Sequence, residues 1–324
     1  MRTKAALQLM FGANCALFLF GLLRYSQSNS RTSSASTATA GGEDLTEKIR
    51  KSYPTFSNTT SEQFRVPNIV HYIWYNTKPA KFRFHHLLSV LSSHKFIRPD
   101  VIYFHTDFEP VGKYWEQAKN IPGVKINRRK PPFYLFGEAV KKPMFYTSHS
   151  NVDRVKILME YGGIYLDLDV LVTKSFDDLR KYSCVIGQEQ KTKACGSVIV
   201  CEKTSFFLYL WLNSYLDDYR MEEWAYNTGQ VPFNLARRFP HLVHVEKTTL
   251  NRPNFKELDK IWGPTGFEWK KNYAVHIWYR LWKSSKYYDG IEPSPETIKQ
   301  MDNAFGQMAR AIYYGAPDLI ATDH

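Results

Sequence analysis

Cysteine is scarce in this sequence, with four residues in 324, and its placement excludes two of its common uses. Cys15 lies inside an apolar N-terminal run, which leaves Cys184, Cys195 and Cys201, without the spacing of a zinc site. These remaining thiols allow at most one intramolecular bridge, with one thiol left over. Cys184 and Cys201 sit symmetrically about a turn near Lys191 to Ala194, a spacing that lets them face each other across a hairpin. Acidic residues are also in deficit, 31 against 43 Lys and Arg, for a formal net charge of +12. That surplus attracts anions of some kind. Apart from the short run Lys125, Arg128, Arg129 and Lys130 the basic residues are scattered. A stripe of the kind that tracks a nucleic-acid backbone is therefore missing, and nucleic acid is not an expected partner. No internal repeat is seen. What is present is ample apolar content, 44%, which excludes disorder throughout, and an aromatic share of 15% that suits either a core of large side chains or stacking on bases and sugar rings.

Residues Ala5 to Leu23 form an uncharged apolar stretch preceded by Arg2 and Lys4 and followed by Arg24. As a helix it would span roughly 28 Å, close to a bilayer core, and it exceeds the apolar region of a cleavable signal. Positive charge ahead of it favours a cytoplasmic N-terminus. The expected organisation is a cytoplasmic tail at 1–4, a transmembrane signal anchor at 5–23, a stem at 24–65 and a lumenal catalytic domain at 66–324. Ser26 to Gly42 is rich in Ser, Thr, Ala and Gly, a linker composition, and the sequon Asn58-Thr59-Thr60 falls in the extension of this stem.

From Pro67 onward strand-like and helix-like runs alternate. Asn68 to Tyr75, Val101 to His105, Ile164 to Val172 and Tyr273 to Trp278 read as strands, and Cys184 to Gln188 with Ser197 to Cys201 as a strand pair. Phe82 to Phe96, about Ser150 to Tyr161, Ser205 to Tyr219 and Pro295 to Tyr314 read as helices, the second ending at Gly162-Gly163. This order predicts an α/β fold with a mostly parallel mixed sheet.

Within Tyr161 to Val172 the chemistry is concentrated in Asp167 and Asp169. If the segment is one extended strand, alternation points both carboxylates the same way, about 6.5–7 Å apart, so that both address one cation. Two carboxylates in an otherwise apolar run need positive compensation. Oxygen ligands favour Mn²⁺ or Mg²⁺, and a hard cation stabilises the charge that develops on a departing nucleoside diphosphate.

The sequence resembles the glycosyltransferase family with a DXD-containing sugar-binding region, which includes α-1,6-mannosyltransferases of the fungal Golgi and animal α-1,4-galactosyltransferases. The matching residues are Val66 to Trp74, Ser150-Asn151-Val152-Asp153-Arg154 with Leu158, Gly162 to Asp169, and His276-Ile277-Trp278. The resemblance implies a nucleotide-binding glycosyltransferase fold, a divalent metal and retention of anomeric configuration, and with the apolar run at 5–23 the expectation is a single-pass type II Golgi protein. Its implied donor-binding residues are Ile73, Trp74, Asn151, Arg154, Tyr165 and Asp167, with Trp74 under the base. Its implied catalytic residues are Asp167, Asp169 and Arg154. A late His-x-Trp pair in the family makes His276 the expected third metal ligand beside Asp167 and Asp169. Two positions depart from the family pattern: Asn151 stands where relatives usually carry Asp, and Cys195-Gly196-Ser197 where they tend to carry Asn.

The function expected on these grounds is transfer of a hexose or N-acetylhexosamine from a UDP- or GDP-sugar to a glycan or glycolipid hydroxyl. The competing reading is a membrane-anchored, catalytically inactive sugar-binding protein of the same fold. Glu189 and Asp217 are acceptor-side candidates on the sequence, each read more readily as a solvated surface acid.

Overall fold

A computed structural model describes residues 64–321, apart from 77, 133, 140–144, 221 and 224. The expected anchor, stem, Cys15 and Asn58 lie outside the described residues. No helix among the described residues is long and apolar enough to cross a membrane.

The chain alternates as its pattern predicts: β1 (Ile69–Trp74), α1 (Phe84–Phe96), β2 (Val101–Thr106), α2 (Lys113–Lys119), β3 (Val124–Arg128), a small hairpin of β4 (Tyr134–Leu135) and β5 (Glu138–Ala139), and α3 (Phe145–Tyr161). Then come β6 (Gly163–Leu166), β7 (Val170–Val172), α4 (Asp177–Arg180), β8 (Cys184–Gln190), β9 (Lys193–Cys201), α5 (Phe206–Asp217), α6 (Val231–Arg238) and β10 (His244–Glu246). The last elements are α7 (Leu258–Trp262), β11 (Ala274–His276), α8 (Tyr279–Trp282) and α9 (Ala304–Tyr313).

Seven strands form one sheet in the order β10-β8-β9-β6-β1-β2-β3. Its pairings are parallel except β6 with β9 and β8 with β9. The fold is thus an α/β fold with a mostly parallel mixed sheet. Alternation along the strands divides the core. Val70, Tyr72, Ile164, Leu166, Val198 and Val200 face one layer, shared with Leu87 and Leu88 of α1 and Phe305 and Met308 of α9. Tyr165, Ile186 and Ile199 face the other, shared with Val152 and Leu158 of α3 and Phe207 and Trp211 of α5. Both sheet faces are covered by helices, as parallel strands require.

Three local expectations are corrected. The run Ile164 to Val172 is not one strand: β6 ends at Leu166, the chain turns through Asp167-Leu168-Asp169, and β7 leaves the main sheet to pair antiparallel with β11. The closing helix does not run from Pro295; a 3₁₀ turn at Thr297–Lys299 precedes α9, whose first turn is capped by the Asn303 side chain accepting from Gly306 N–H. The helix before the Gly pair begins at Phe145, ahead of Ser150. Cys184 and Cys201 stand directly opposite each other on β8 and β9 and are bridged, which leaves Cys195 free.

The α3-to-β6 junction depends on glycine. Gly162 and Gly163 have φ of 68° and 113°, and a Cβ on Gly163 would lie 2.5 Å from the Ile69 carbonyl oxygen of β1. Gly163→Ala should therefore cost about 1–3 kcal/mol in chemical unfolding, because backbone rather than a movable side chain blocks the methyl group. Unchanged stability would show that β1 and β6 can separate there.

His71 and His105 are buried side by side on β1 and β2, with His71 Nδ1 3.0 Å from His105 Nε2 and His71 Nε2 2.8 Å from the Gly162 carbonyl. Burial pushes His71 down to about 4 and His105 to about 2, the latter also by the neighbouring imidazole. Both rings are neutral in the fold, whereas an unfolded histidine takes up a proton near 6.5. The unfolded state therefore binds more protons below that pH. The rings' contribution to stability is complete above about 6.5 and is lost as pH falls toward about 4 for His71 and about 2 for His105. Ring NMR should find both neutral at pH 5.5, and a titration of either ring near 6.5 would contradict this packing.

Candidate active site

The turn between β6 and β7 brings the two aspartates together by a route the strand reading did not anticipate. Asp167 N–H donates to the Ser197 carbonyl at 2.8 Å, which ties the turn to β9, and Val170 N–H closes it on the Asp167 carbonyl at 3.0 Å. β11 pairs with β7 and delivers His276, whose Nε2 lies 3.0 Å from Asp169 Oδ1. Asp169 is held from two further sides: its carbonyl accepts from Ile277 N–H at 2.9 Å, and Oδ2 accepts from Tyr279 N–H at 3.2 Å. The second bond requires a sharp turn at Trp278, a non-glycine residue at φ 53°, where strain is tolerated because the turn points the first amide of α8 at the carboxylate.

Asp167, Asp169 and His276 each offer a ligand atom, all within 4.8 Å of one another. Burial alone would push His276 down, but the charge and hydrogen bond of Asp169 outweigh it and hold the imidazole well above its ordinary value. Burial likewise opposes ionisation of Asp169, and His276 overrides it and lowers the carboxyl. The site attracts positive charge, and two carboxylates with one imidazole form a donor set that suits Mn²⁺ or Mg²⁺.

Arg154 and Asn151 come from α3. Arg154 is only 5% exposed, donates to Asn151 Oδ1 at 2.9 Å and lies 3.5 Å from Asp167 Oδ1. Burial opposes its charge, but Asp167, Tyr165, Tyr215 and Cys195 together outweigh that and hold the guanidinium above its ordinary value. Asp153 turns to the opposite side, accepting from Tyr75 O–H at 2.6 Å. Tyr165 stands behind the aspartates: its hydroxyl donates to Asp167 Oδ1 at 2.6 Å while the Arg154 guanidinium lies over its ring. A cavity of about 340 Å³ is lined by Asn151, Arg154, Asp167, Asp169 and His276 together with Glu189, Cys195, Ser197 and Trp278. That volume suits a small-molecule ligand.

Ile73 and Trp74 are not on this wall. Ile73 packs toward the α3 side of the sheet, and Trp74 packs on Phe82 and His86, with its indole N–H buried and unpaired among the described residues. Asp217 ends α5 and is exposed, away from the cavity lining. Sequence reasoning undervalued Glu189 and Cys195, which the irregular β8–β9 pairing turns into the cavity; Gly187 and Gly196 beside them were the available signal.

Residues 88–186 match the family model described as glycosyltransferase sugar-binding region containing DXD motif. Over this stretch, about a third of its length, the chain is similar to the glycosyltransferases that carry this region. It is 28% identical over 267 residues to glucan organizing enzyme 1 of Cryptococcus neoformans, covering 76% of this chain and 70% of that protein. It is 26% identical over 172 residues to the rat lactosylceramide 4-alpha-galactosyltransferase, covering 53% of this chain and 42% of that enzyme. Among solved structures it is similar to the galactosyltransferase LgtC in complex with donor and acceptor sugar analogues, at a TM-score of 0.40 and 12% identity over 76% of this chain and 96% of that one.

Because Tyr165 orients Asp167 from behind, Tyr165→Phe should weaken Mn²⁺ binding about 10–100-fold in calorimetric titration, the usual range for losing a hydrogen bond to a metal ligand. An unaltered affinity would assign the Tyr165 hydroxyl to packing alone.

Proposed function

We infer that this chain is a metal-dependent, retaining glycosyltransferase that moves a hexose or N-acetylhexosamine from a UDP- or GDP-sugar to a hydroxyl of a glycan or glycolipid. The observation that carries the reading is the convergence of Asp167, Asp169, His276 and Arg154 on one cavity, from a turn, a separate two-stranded sheet and a helix. A bound divalent cation would supply charge stabilisation at the departing diphosphate. The chain's own residues do the remaining work. Asp167, Asp169 and His276 would hold the cation, and Tyr165 and Tyr279 N–H hold the two carboxylates in orientation. Arg154 and Asn151 present donors and an acceptor toward the sugar and its phosphates. We assign the base to Trp74, which lies off the wall described above, half-buried at the C-terminal end of β1 where open α/β sheets take ligands. The likeness to the rat galactosyltransferase supports a hexose as the group transferred, and the apolar run at 5–23 with the linker at 24–65 supports a single-pass type II protein of the Golgi membrane, its residues 66–324 lumenal.

The purified protein with MnCl₂ should release nucleotide from one of UDP-galactose, UDP-glucose, UDP-N-acetylglucosamine or GDP-mannose. Asp169→Asn, which removes one negative ligand without changing shape, should lower that rate about 100-fold or more, since cation stabilisation of the leaving group is worth several kcal/mol. Undiminished turnover in this variant, or in excess EDTA, would overturn the reading.

A further inference from the structure

Glu189 stands out among the carboxylates that the metal site leaves unused. It is only 5% exposed, yet it lines the cavity that holds Asp167 and Asp169. Its position there follows from a β-bulge. Gln188 pairs with Ala194 and Gln190 with Lys193, so Glu189 is the extra residue on β8, without a partner opposite. Such a bulge re-aims a side chain that regular alternation would send elsewhere. The backbone is fixed in this course, because the Asn254 side-chain amide donates to the Glu189 carbonyl at 3.3 Å. Oε1 accepts one bond, from Gln190 Nε2 at 3.1 Å, and Oε2 accepts none among the described residues. Glu189 also stands outside the cluster formed by Asp167, Asp169 and His276, so the same cation does not compensate it.

A buried carboxylate without a cation is costly unless positive charge or a hydrogen-bond donor meets it when the site is filled. In glycosyl transfer that charge arises on the sugar. The bond from the anomeric carbon to the diphosphate oxygen breaks with its electron pair leaving on oxygen, and the ring gains oxocarbenium character before the acceptor hydroxyl bonds to the same carbon and its proton passes to the departing phosphate. Resting on the function proposed above, we propose that Glu189 is a catalytic carboxylate that faces the transferred sugar and stabilises this charge through Oε2, forming no covalent bond. Asp167 and Asp169 serve the leaving group, and Glu189 serves the sugar it leaves.

The proposal separates from an acceptor-binding role by donor hydrolysis without acceptor, in which the same bond breaks and water takes the acceptor's place. The protein, with MnCl₂ and UDP-galactose, UDP-glucose, UDP-N-acetylglucosamine or GDP-mannose, is compared with Glu189→Gln and Glu189→Asp. Glu189→Gln should lower hydrolysis and transfer together by about 100-fold, comparable to losing one electrostatic contact to a transition state. Its affinity for UDP or GDP with Mn²⁺ should stay within about threefold of the parent, and Glu189→Asp, which keeps the charge, should fall between the two. Hydrolysis at the parent rate in Glu189→Gln, with transfer alone lost, would overturn the proposal while leaving the proposed function standing. Loss of metal-nucleotide affinity in both variants would also overturn it, because the residue would then belong to the diphosphate side. A parent protein that hydrolyses none of these donors would overturn the proposed function and this inference with it.

Discussion

The architecture around the cavity depends on one constraint: carboxylates brought together away from water must be met by positive charge or by hydrogen-bond donors. Asp167, Asp169 and Glu189 line one cavity. Arg154 stands against the first, His276 against the second, and the Tyr165 hydroxyl and Tyr279 amide supply further donors. These partners come from four parts of the chain, α3, β6, β11 and the start of α8, which all have to arrive at one point. The departures from regular structure gather at the same place: β6 breaks at the DXD turn, Trp278 adopts a left-handed conformation, and β8 and β9 bulge beside Glu189 and Gly196.

These irregularities also explain what could be read from the sequence. Strand and helix alternation, the Gly162-Gly163 stop and the apolar strands β1 and β2 were legible because each follows from local periodicity or from glycine's tolerance of positive φ. The pairing of Cys184 with Cys201 was legible as symmetry about a turn. The two aspartates were assigned to one site on the geometry of a single strand, whereas the structure unites them through a turn and a change of sheet. Alternation happened to lead to the same pair. Glu189 could not be recovered in this way: a one-residue bulge inverts which side chains face a cavity, and no periodicity marks it. The helical run proposed from Pro295 was broken by a 3₁₀ turn and the Asn303 cap, a local polar bond that outweighed the apolar pattern.

The two departures from the family pattern both fall within the site. Asn151 accepts from Arg154, and Cys195 lies 3.3 Å from Ser197 Oγ and 4.0 Å from His276 Nδ1. Asn151 thus reaches the arginine that pairs with Asp167, and Cys195 reaches the imidazole that pairs with Asp169, so both departures border the candidate ligands.

The central claim is that Asp167, Asp169 and His276 hold one divalent cation, and electron spin-echo modulation of the Mn²⁺-loaded protein tests it most directly. The wild-type spectrum should contain the coupling of a single histidine nitrogen, and that coupling should vanish in His276→Ala. A wild-type spectrum without nitrogen coupling, or one that His276→Ala leaves unchanged, would contradict the account and place the cation elsewhere.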